Sequence, residues 1–247
     1  MSDPKRVRYV IPSYQRPKQL QAKTLSYLKF HKIPNEDISI VLRSDDEHLS
    51  EYQAIGKGYL FHITSRKGIG NTHNYITEHF DEGQFVVEID DDLTNIIDNN
   101  KNSVDFNSEC VKMFNIMAHM GCSYGGSYQC DNAMFMTNTP QFTTDLRYML
   151  GCIRFRFIRK DIVLHTNYAE DFENCILHYK RDGLILKNNH IAPKTSNYSP
   201  GGCDGDGRNL ETEKIDKEFL ANEYPDYCKL FQRKSGRWDL KLRHVRK

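Results

Sequence analysis

The chain has 247 residues, of which 38% are hydrophobic and 27% are charged, and its formal net charge is +1 at pH 7. This length suffices for one large domain or two small ones. No apolar run approaches the length of a membrane-spanning helix, which excludes a membrane protein and predicts a soluble one with no membrane partner.

The seven cysteines indicate the redox compartment. Their number is odd, they form no C-x-x-C pair, and no secretory signal precedes them. These features favour reduced thiols in an intracellular protein.

Strand and helix patterns alternate through the first hundred residues. Apolar runs predict strands at 7–11, 38–42, 59–64 and 85–89, and apolar spacing predicts helices after the first and third of them. This alternation is typical of a parallel sheet with right-handed crossovers. We therefore predict an α/β fold with a mostly parallel central sheet flanked by helices.

Three consecutive aspartates, Asp90, Asp91 and Asp92, follow the last of these strands. Three carboxylates repel one another at neutral pH, and a bound divalent cation relieves the repulsion. In an open α/β sheet, ligands bind beyond the carboxyl ends of the strands, which is where the aspartates are expected. A solvated acidic turn is the alternative interpretation of the same motif.

The second half of the chain is less regular, and its elements are predicted one by one. They are a helix at about 106–120, a flexible turn at 121–128, a half-buried strand at 151–158, a helix at about 169–180, a short strand at 184–186, a glycine-rich loop at 201–207 and a helix around 210–223. The strand at 151–158 alternates and places Arg154 and Arg156 together on its polar face. Since no linker interrupts the chain, we predict one domain at 1–230 and a basic C-terminal arm at 231–247.

Polar loops follow several of the predicted strands. They are residues 12–16, the pair Asp45 and Asp46, the basic loop at 66–71, and the three aspartates. Because the carboxyl ends of parallel strands meet at one edge of a sheet, we expect these loops to converge on one crevice.

This order of motifs resembles the GT-A fold of glycosyltransferases. The resemblance implies a nucleotide-sugar half at about 1–100, an acceptor half at about 101–230, a UDP-sugar donor and a divalent metal, Mn²⁺ or Mg²⁺. The nucleotide-sugar contacts that it implies are Pro12, Ser13, Tyr14 and Arg16, Asp45 or Asp46 at the uracil or ribose, Arg66, Gly70 and Asn71 near the diphosphate and sugar, and Asp90 and Asp91. Asp90 and Asp92 fit the D-x-D motif, with Asp92 the direct metal ligand, and the pair Asp91 and Asp92 is the second register. The chemistry agrees, since a nucleoside diphosphate is a good leaving group only when its growing charge is neutralised.

The resemblance continues in the second half. Gly151 fits a glycine-bearing strand before the acceptor site, and Glu170 with Asp171 fits an acidic motif at a helix start. This implies that Asp171, with Glu170 beside it, removes the proton of the acceptor hydroxyl, and a single base implies inversion. His190 matches the position of the histidine that often completes the metal shell in this fold. Without the family, Glu170 and Asp171 fit ordinary N-terminal helix capping equally well.

The chain is also similar to the TET-associated glycosyltransferases, over residues 7–243. The segments that carry this similarity are VIPSYQR, GIGNTHNYI, EIDDDL, YAEDFENCILHYKRDG, NHIAP, PGGCDGDGR and EYPDYCKLFQRKSGRWDLKLR. Phage members of this family glycosylate hydroxymethylated pyrimidines in DNA. The similarity therefore implies DNA containing 5-hydroxymethylcytosine as acceptor, glucose or a pentose such as arabinose as the sugar, and the cytoplasm of a phage-infected host as the location. One departure is His73 in N-T-H-N, because many GT-A enzymes have Ala-Arg-Asn there and contact the sugar through that arginine.

Residue chemistry also favours a DNA partner, because lysine and arginine neutralise phosphates and aromatic rings stack on bases. The predicted acceptor and DNA contacts are Arg154, Arg156, Gly201, Gly202, Arg233, Lys234, Arg237 and Trp238. Two other functions stay open, namely a GT-A enzyme acting on a polysaccharide, lipid-linked or protein acceptor, and a non-catalytic DNA-binding relative. The basic tail also fits a merely solubilising role.

Overall fold

The computed structural model describes residues 6–137, 139–195, 202 and 206–243. The six cysteines in these ranges are free thiols, as expected from the sequence. No helix in these ranges combines the length and the apolar character needed to cross a membrane.

The strands of the described residues form one large sheet and two small ones. They are β1 (Arg8–Pro12), β2 (Ile38–Arg43), β3 (Leu60–Thr64), β4 (Phe85–Ile89), β5 (Leu93–Asp98), β6 (Tyr124–Ser127), β7 (Phe142–Thr143), β8 (Ile153–Phe157), β9 (Leu186–Asn188), β10 (Ile191–Thr195), β11 (Cys228–Gln232) and β12 (Trp238–Leu242). The large sheet has the order β3-β2-β1-β4-β8-β6-β9-β7, and β5 with β10 and β11 with β12 make the small sheets.

The first four strands of the large sheet are parallel to one another, since β1 pairs in parallel with β2 and β4, and β2 pairs in parallel with β3. β8 then runs antiparallel to both β4 and β6. β9 is parallel to β6, and the short edge strand β7 is antiparallel to β9. The predicted α/β fold with a mostly parallel central sheet is confirmed.

Helices cover both faces of the sheet. They are α1 (Pro17–Leu20), α2 (Ser26–Phe30), α3 (Leu49–Ala54), α4 (Ile69–His79), α5 (Phe106–Met120), α6 (Ala133–Thr137), α7 (Glu170–Asp182) and α8 (Leu210–Glu223), with a π-helical turn, Gln21–Leu25, between α1 and α2. The Asp105 side chain caps α5 by accepting from Ser108 N at 2.8 Å, and Gly121 with φ 72° ends it. The helices predicted at 106–120 and 210–223 are confirmed at those bounds.

The core lies on both sides of the parallel strands. Tyr9 and Ile11 of β1 pack into the large cluster on one face, and Val10 packs against Ile76 of α4 on the other. Parallel strands covered on both faces carry continuous apolar runs, which explains why β1, β2 and β4 could be predicted from the sequence.

The segment predicted as a flexible turn at 121–128 contains the buried strand β6, so that prediction is wrong. Its two glycines allow close packing rather than flexibility. A Cβ at Gly125 would lie 3.0 Å from Met117 Sδ, and a Cβ at Gly126 would lie 2.9 Å from Met149 Sδ. Methionine fills the space that the absent side chains leave.

The prediction that β8 exposes Arg154 and Arg156 is also wrong. All five residues of β8 are buried, and the two arginines are 4% and 1% exposed. Their partner is Glu88 of the neighbouring β4, which forms an ion pair with Arg156 and lies 3.5 Å from Arg154. Arg156 also donates to Thr77 Oγ1 of α4 at 2.6 Å. The polar face of β8 is therefore covered by a helix and not by water. This is possible because the Glu88 carboxylate on the adjacent strand neutralises the two arginines.

The basic arm predicted at 231–247 differs from the structure, because its start falls inside β11. β11 and β12 form an antiparallel hairpin that packs on α8. Leu240 of β12 shares a cluster with Leu220 of α8, and Lys217 Nζ donates to the Trp238 carbonyl at 3.2 Å. The hairpin is thereby held against the body of the domain.

Arg156→Ala should lower the free energy of unfolding by about 3–5 kcal/mol, because it leaves the Glu88 carboxylate buried without its main counter-ion. Arg66→Ala is the matched control, since Arg66 pairs with Glu78 at 2.7 Å but both side chains are largely exposed. Its loss should change the free energy by no more than about 1 kcal/mol. Urea denaturation followed by circular dichroism measures both variants, and equal losses would contradict the buried role of Arg156.

Candidate active site

A cavity of about 530 Å³ opens beyond the carboxyl ends of the parallel strands. It lies between the loop after β1, the aspartates after β4, the N-termini of α4 and α7, and the β11–β12 hairpin. The predicted site residues that line it are Pro12, Ser13, Tyr14, Arg16, Asp90, Asp91, Asp92, Arg154, Glu170, Asp171, Gly202, Arg233 and Arg237. The two halves of the chain therefore meet at one site, as their motif order predicted.

Asp91 turns toward the loop after β1. Its carboxylate accepts from Ser13 Oγ at 2.6 Å and lies 3.3 Å from Arg16 Nη1. Tyr52 of α3 supports the same loop, because its hydroxyl contacts Ser13 Oγ and accepts from Arg16 N, both at 2.8 Å. Asp91 is thus committed to holding the protein's own loop.

The backbone of the acidic turn is clamped by Thr24, which lies in the π-helical turn and is fully buried. Its hydroxyl donates to the Asp90 carbonyl at 2.7 Å and accepts from Leu93 N at 2.9 Å. The clamp fixes the chain on both sides of Asp91 and Asp92.

Two carboxyl groups of this turn, Asp90 and Asp91, have raised pKa values. Burial raises the pKa of Asp90 to about 7, Arg154 opposes the rise, and the neighbouring carboxylates add to it. Burial likewise raises the pKa of Asp91 to about 6, against the effect of Ser13 and Arg16. Mg²⁺ is commonly held by one or two carboxylates together with substrate phosphates, and Asp90 and Asp92 supply such oxygens here. No cluster of three histidine, cysteine or acidic ligands that could hold a metal by itself occurs among the described residues.

His190 lies away from this turn, so the prediction that it joins the metal ligands is wrong. β10 pairs antiparallel with β5, which puts Thr195 beside Leu93 and Ile191 beside Asp98. His190 is therefore about 17 Å along the strands from the acidic turn, at about 3.4 Å per residue. Its Nε2 contacts the Thr139 carbonyl at 2.9 Å instead.

Asp171 stands at the start of α7, opposite the acidic turn. Its Oδ1 accepts from Arg154 Nη2 at 2.5 Å, and its Oδ2 accepts from the Tyr148 hydroxyl at 3.2 Å. Glu170 Oε1 lies 3.4 Å from the same Arg154 nitrogen, and burial next to Asp171 raises the pKa of Glu170 to about 8. A Cβ at Gly151 would lie 2.0 Å from Arg154 Nη2, so only glycine leaves room for this ion pair.

The acidic pair after β2 does not reach the cavity. Asp46 is buried, and its carboxylate accepts from Gln15 N at 2.7 Å and from His48 N at 2.9 Å. Asp45 is exposed and pairs with Arg43 at 2.6 Å. Both carboxylates therefore support neighbouring chain segments, and the structure does not bring either into the cavity lining.

Most of the basic loop before α4 is also outside the cavity lining. Arg66 turns away to pair with Glu78 at 2.7 Å. Asn71 Nδ2 donates to the Lys67 carbonyl at 2.8 Å. Gly70 allows close packing, since a Cβ there would lie 1.9 Å from the Thr166 carbonyl oxygen.

Arg43 is a cavity residue that the sequence analysis missed. It is the last residue of β2, its guanidinium stacks 4.1 Å from the Tyr14 ring centroid, and it pairs with Asp45 and Asp206. Asp206 also accepts from Gly68 N at 2.9 Å, at the start of α4. Residues at the carboxyl ends of parallel strands are expected to converge on one crevice, and Arg43 lies at such an end. Its place in the sequence therefore could have predicted its position in the cavity.

The hairpin contributes basic groups to the cavity rim. Arg237 pairs with Glu213 at 2.5 Å and Arg233 pairs with Asp239, although both arginines remain largely exposed. Lys241 lines the rim as well, and Lys234 is exposed in the hairpin turn. Trp238 is half-buried outside the cavity lining.

The glycine-rich loop is described only in part. Gly202 lines the cavity and donates its N–H to the Tyr14 carbonyl at 3.0 Å. Its φ is +62°, and a Cβ there would lie 2.6 Å from Arg16 Cζ, so glycine is required at this approach. Gly201 lies outside the described residues.

The pKa of Asp90 predicts a pH dependence of the metal-free protein. The folded state favours the neutral carboxyl, so the stability that this group contributes is lost as the pH rises through about 7. Asp90→Asn cannot ionise, and its stability advantage over the wild type should grow by about 2 kcal/mol between pH 5 and pH 8. Urea denaturation in EDTA at both pH values measures the difference, and an advantage independent of pH would contradict the raised pKa.

No protein-family model and no curated protein matches the chain. Solved structures do match it in fold. Residues 1–349 of Staphylococcus aureus TarS, solved with UDP-GlcNAc, are 14% identical with a TM-score of 0.57, and the match covers 88% of this chain and 67% of that one. Glucosyl-3-phosphoglycerate synthase from Mycobacterium tuberculosis, solved with Mn²⁺, UDP and phosphoglyceric acid, is 13% identical with a TM-score of 0.50, over 97% of this chain and 87% of that one. The chain therefore has the GT-A-like fold that its motif order predicted.

Proposed function

We propose that this protein is a metal-dependent glycosyltransferase. It transfers a sugar from a UDP-sugar to the hydroxymethyl group of 5-hydroxymethylcytosine in phage DNA, in the cytoplasm of an infected host. The observation that carries the transferase assignment is the convergence of Asp90, Asp92 and Asp171 on one cavity, which Arg154 also lines. The two structural neighbours support a nucleotide-sugar donor, because both were solved with a uridine nucleotide.

Asp90 and Asp92 are the residues that would hold Mn²⁺ or Mg²⁺. Asp91 is excluded from this pair in our assignment, because Ser13 and Arg16 already occupy its carboxylate. The raised pKa of Asp90 supports a cation at this position. When bound there, the metal would neutralise the charge that develops on the leaving diphosphate.

The uridine side of the donor is assigned to the loop after β1. Tyr14 offers an aromatic ring at the cavity wall, and Arg43 behind it offers a guanidinium. Arg16 and Ser13 fix the loop through Asp91, so the nucleotide pocket and the acidic turn share one support. Gly202 closes on the same loop through its bond to the Tyr14 carbonyl.

Asp171 is the proposed base. Its carboxylate takes the proton of the acceptor hydroxyl while that oxygen forms a bond to the anomeric carbon. The bond between the anomeric carbon and the diphosphate oxygen breaks, and UDP leaves with that electron pair. A single displacement of this kind inverts the configuration of the sugar.

The DNA acceptor is supported by the charge of the cavity rim. Lys234, Lys241 and Arg243 are exposed on or beside the β11–β12 hairpin, and Phe231 lines the cavity next to them. Lysine and arginine neutralise backbone phosphates, and an aromatic ring can stack on an exposed base. The hydroxymethyl group projects into the major groove and reaches a closed cavity only if the base is exposed or flipped.

The test is a transfer assay with a mass readout. The protein is incubated with Mn²⁺, a panel of UDP-sugars and duplex DNA that contains either cytosine or 5-hydroxymethylcytosine. The DNA is then digested to nucleosides. We expect a mass increase of one hexose or one pentose on 5-hydroxymethyl-2′-deoxycytidine alone. UDP release without any DNA product would favour a polysaccharide, lipid-linked or protein acceptor, and DNA binding without UDP release would favour a non-catalytic relative.

Asp92→Asn should lower the transfer rate by about 100-fold or more, because the diphosphate then leaves with its charge poorly neutralised. Asp171→Asn should lower the transfer rate by a similar factor, because it removes the base. Asp98→Asn is the matched control, since Asp98 lies at the far end of β5 and its Oδ1 only accepts from backbone N–H groups. Wild-type activity in Asp92→Asn would remove the metal assignment.

Lys241→Ala should raise the KM for DNA several-fold while the KM for the UDP-sugar stays the same, because the residue would contact phosphate alone. The dependence of DNA affinity on salt should also become shallower, by about one in the log–log slope. Lys29→Ala serves as control, since it removes a lysine from α2, outside the cavity lining. Equal effects of the two variants on DNA affinity would argue against the hairpin as the DNA contact.

A further inference from the structure

A chain of four polar side chains runs from the centre of the sheet to the cavity. Glu88 Oε2 of β4 lies 2.6 Å from His73 Nδ1 of α4. His73 Nε2 lies 2.6 Å from Arg154 Nη1, and Arg154 Nη2 donates to Asp171 Oδ1 at 2.5 Å. Glu88 and His73 are each 1% exposed, and Arg154 is 4% exposed.

The direction of the hydrogen bonds fixes the state of His73. A guanidinium can only donate, so His73 Nε2 accepts from Arg154 and carries no proton. The proton of a neutral ring is then on Nδ1, where it faces the Glu88 carboxylate. Burial and the adjacent Arg154 charge both lower the pKa of His73, which agrees with a neutral ring.

Arg154 needs this support because its position is not set by Asp171 alone. Nη2 contacts Asp171 and Glu170, and a long arginine side chain could meet either carboxylate in several orientations. His73 holds the second nitrogen, Nη1, and two fixed nitrogens define the plane of the guanidinium. The Gly151 backbone packs on the other side, where any side chain would collide with both Arg154 and Asp171.

We propose that His73 and Glu88 are positioning residues for the glycosyl transfer. They hold the Arg154 guanidinium so that it fixes Asp171 Oδ1, while Oδ2, which accepts from the Tyr148 hydroxyl at 3.2 Å, takes the proton of the acceptor hydroxyl. The inference rests on the proposed function of Asp171 and extends it to two side chains that are each 1% exposed, of which His73 lies at the cavity lining. A displacement of about 1 Å at a reacting group can cost about 100-fold in rate, so support of this kind is kinetically significant.

The test compares three histidine variants. His73→Phe removes the hydrogen bond with Arg154 and the contact with Glu88, whereas His73→Gln offers one acceptor to Arg154 and one donor to Glu88. His178→Phe is the matched control, because His178 is also fully buried and contacts Ser123 Oγ at 2.8 Å, outside the chain that leads to Asp171. Thermal unfolding is measured for each variant, and kinetics are recorded well below every Tm.

We expect His73→Phe to lower kcat by 10-fold to 100-fold with the KM for the UDP-sugar within two-fold of the wild type. His73→Gln should keep kcat within about three-fold, and His178→Phe should keep kcat although its Tm falls. Equal kcat values for His73→Phe and His178→Phe would overturn the inference. The proposed function has a different contradicting result, namely that the wild-type protein transfers no sugar.

Gly151→Ala provides a second variant if His73→Phe does not fold. Its added Cβ would meet Arg154 Nη2 and Asp171 Oδ1 from the cavity side and leave the sheet interior unchanged. The same loss of kcat at constant donor KM is expected. Retention of wild-type kcat in Gly151→Ala would show that the transfer does not depend on the position of this ion pair.

Discussion

Glu88 is the buried carboxylate on which the centre of the sheet depends. It lies on β4 against Arg154 and Arg156 of β8, and an unpaired charge in that interior would cost several kcal/mol. His73 and Thr77 bring α4 into the same cluster. One ion cluster thus joins two strands and a helix, and its outer end forms part of the cavity wall. The same ion cluster therefore contributes to the stability of the sheet and to the geometry of the cavity.

The three aspartates of the acidic turn differ in their contacts. All three aspartates line the cavity, but the carboxylate of Asp91 is bound by Ser13 and Arg16 of the loop after β1. Consecutive residues after a strand cannot all point the same way, so one of the three is available to hold the protein together. The D-x-D pair Asp90 and Asp92 stays a prediction.

The elements that could be predicted from the sequence are those whose own residues show a clear apolar pattern. Strands covered on both faces are apolar throughout, and α5 has apolar spacing between clear ends, so these elements were placed correctly. His190 was misplaced because the pairing of β10 with β5 depends on contacts a hundred residues apart, which no local pattern shows. Arg154 and Arg156 were misplaced because alternation reveals a polar face but not the partner that covers it. Arg43 was missed although it ends β2, because its contacts with Tyr14 and Asp206 join residues far apart in the sequence.

The π-helical turn between α1 and α2 gives the acidic site an unusual dependence on chain length. A π-turn winds more residues into one turn than an α-helix does, and Thr24 lies inside it with its hydroxyl on the Asp90 carbonyl and Leu93 N. Removal of one residue between α1 and Thr24 would shift Thr24 by one position relative to α1, which corresponds to about 100° of α-helical rotation. The register of this helical segment therefore sets the conformation of the turn that would hold the metal. Single-residue deletions there would be selected against because they disturb that turn, whatever their effect on the stability of the helix.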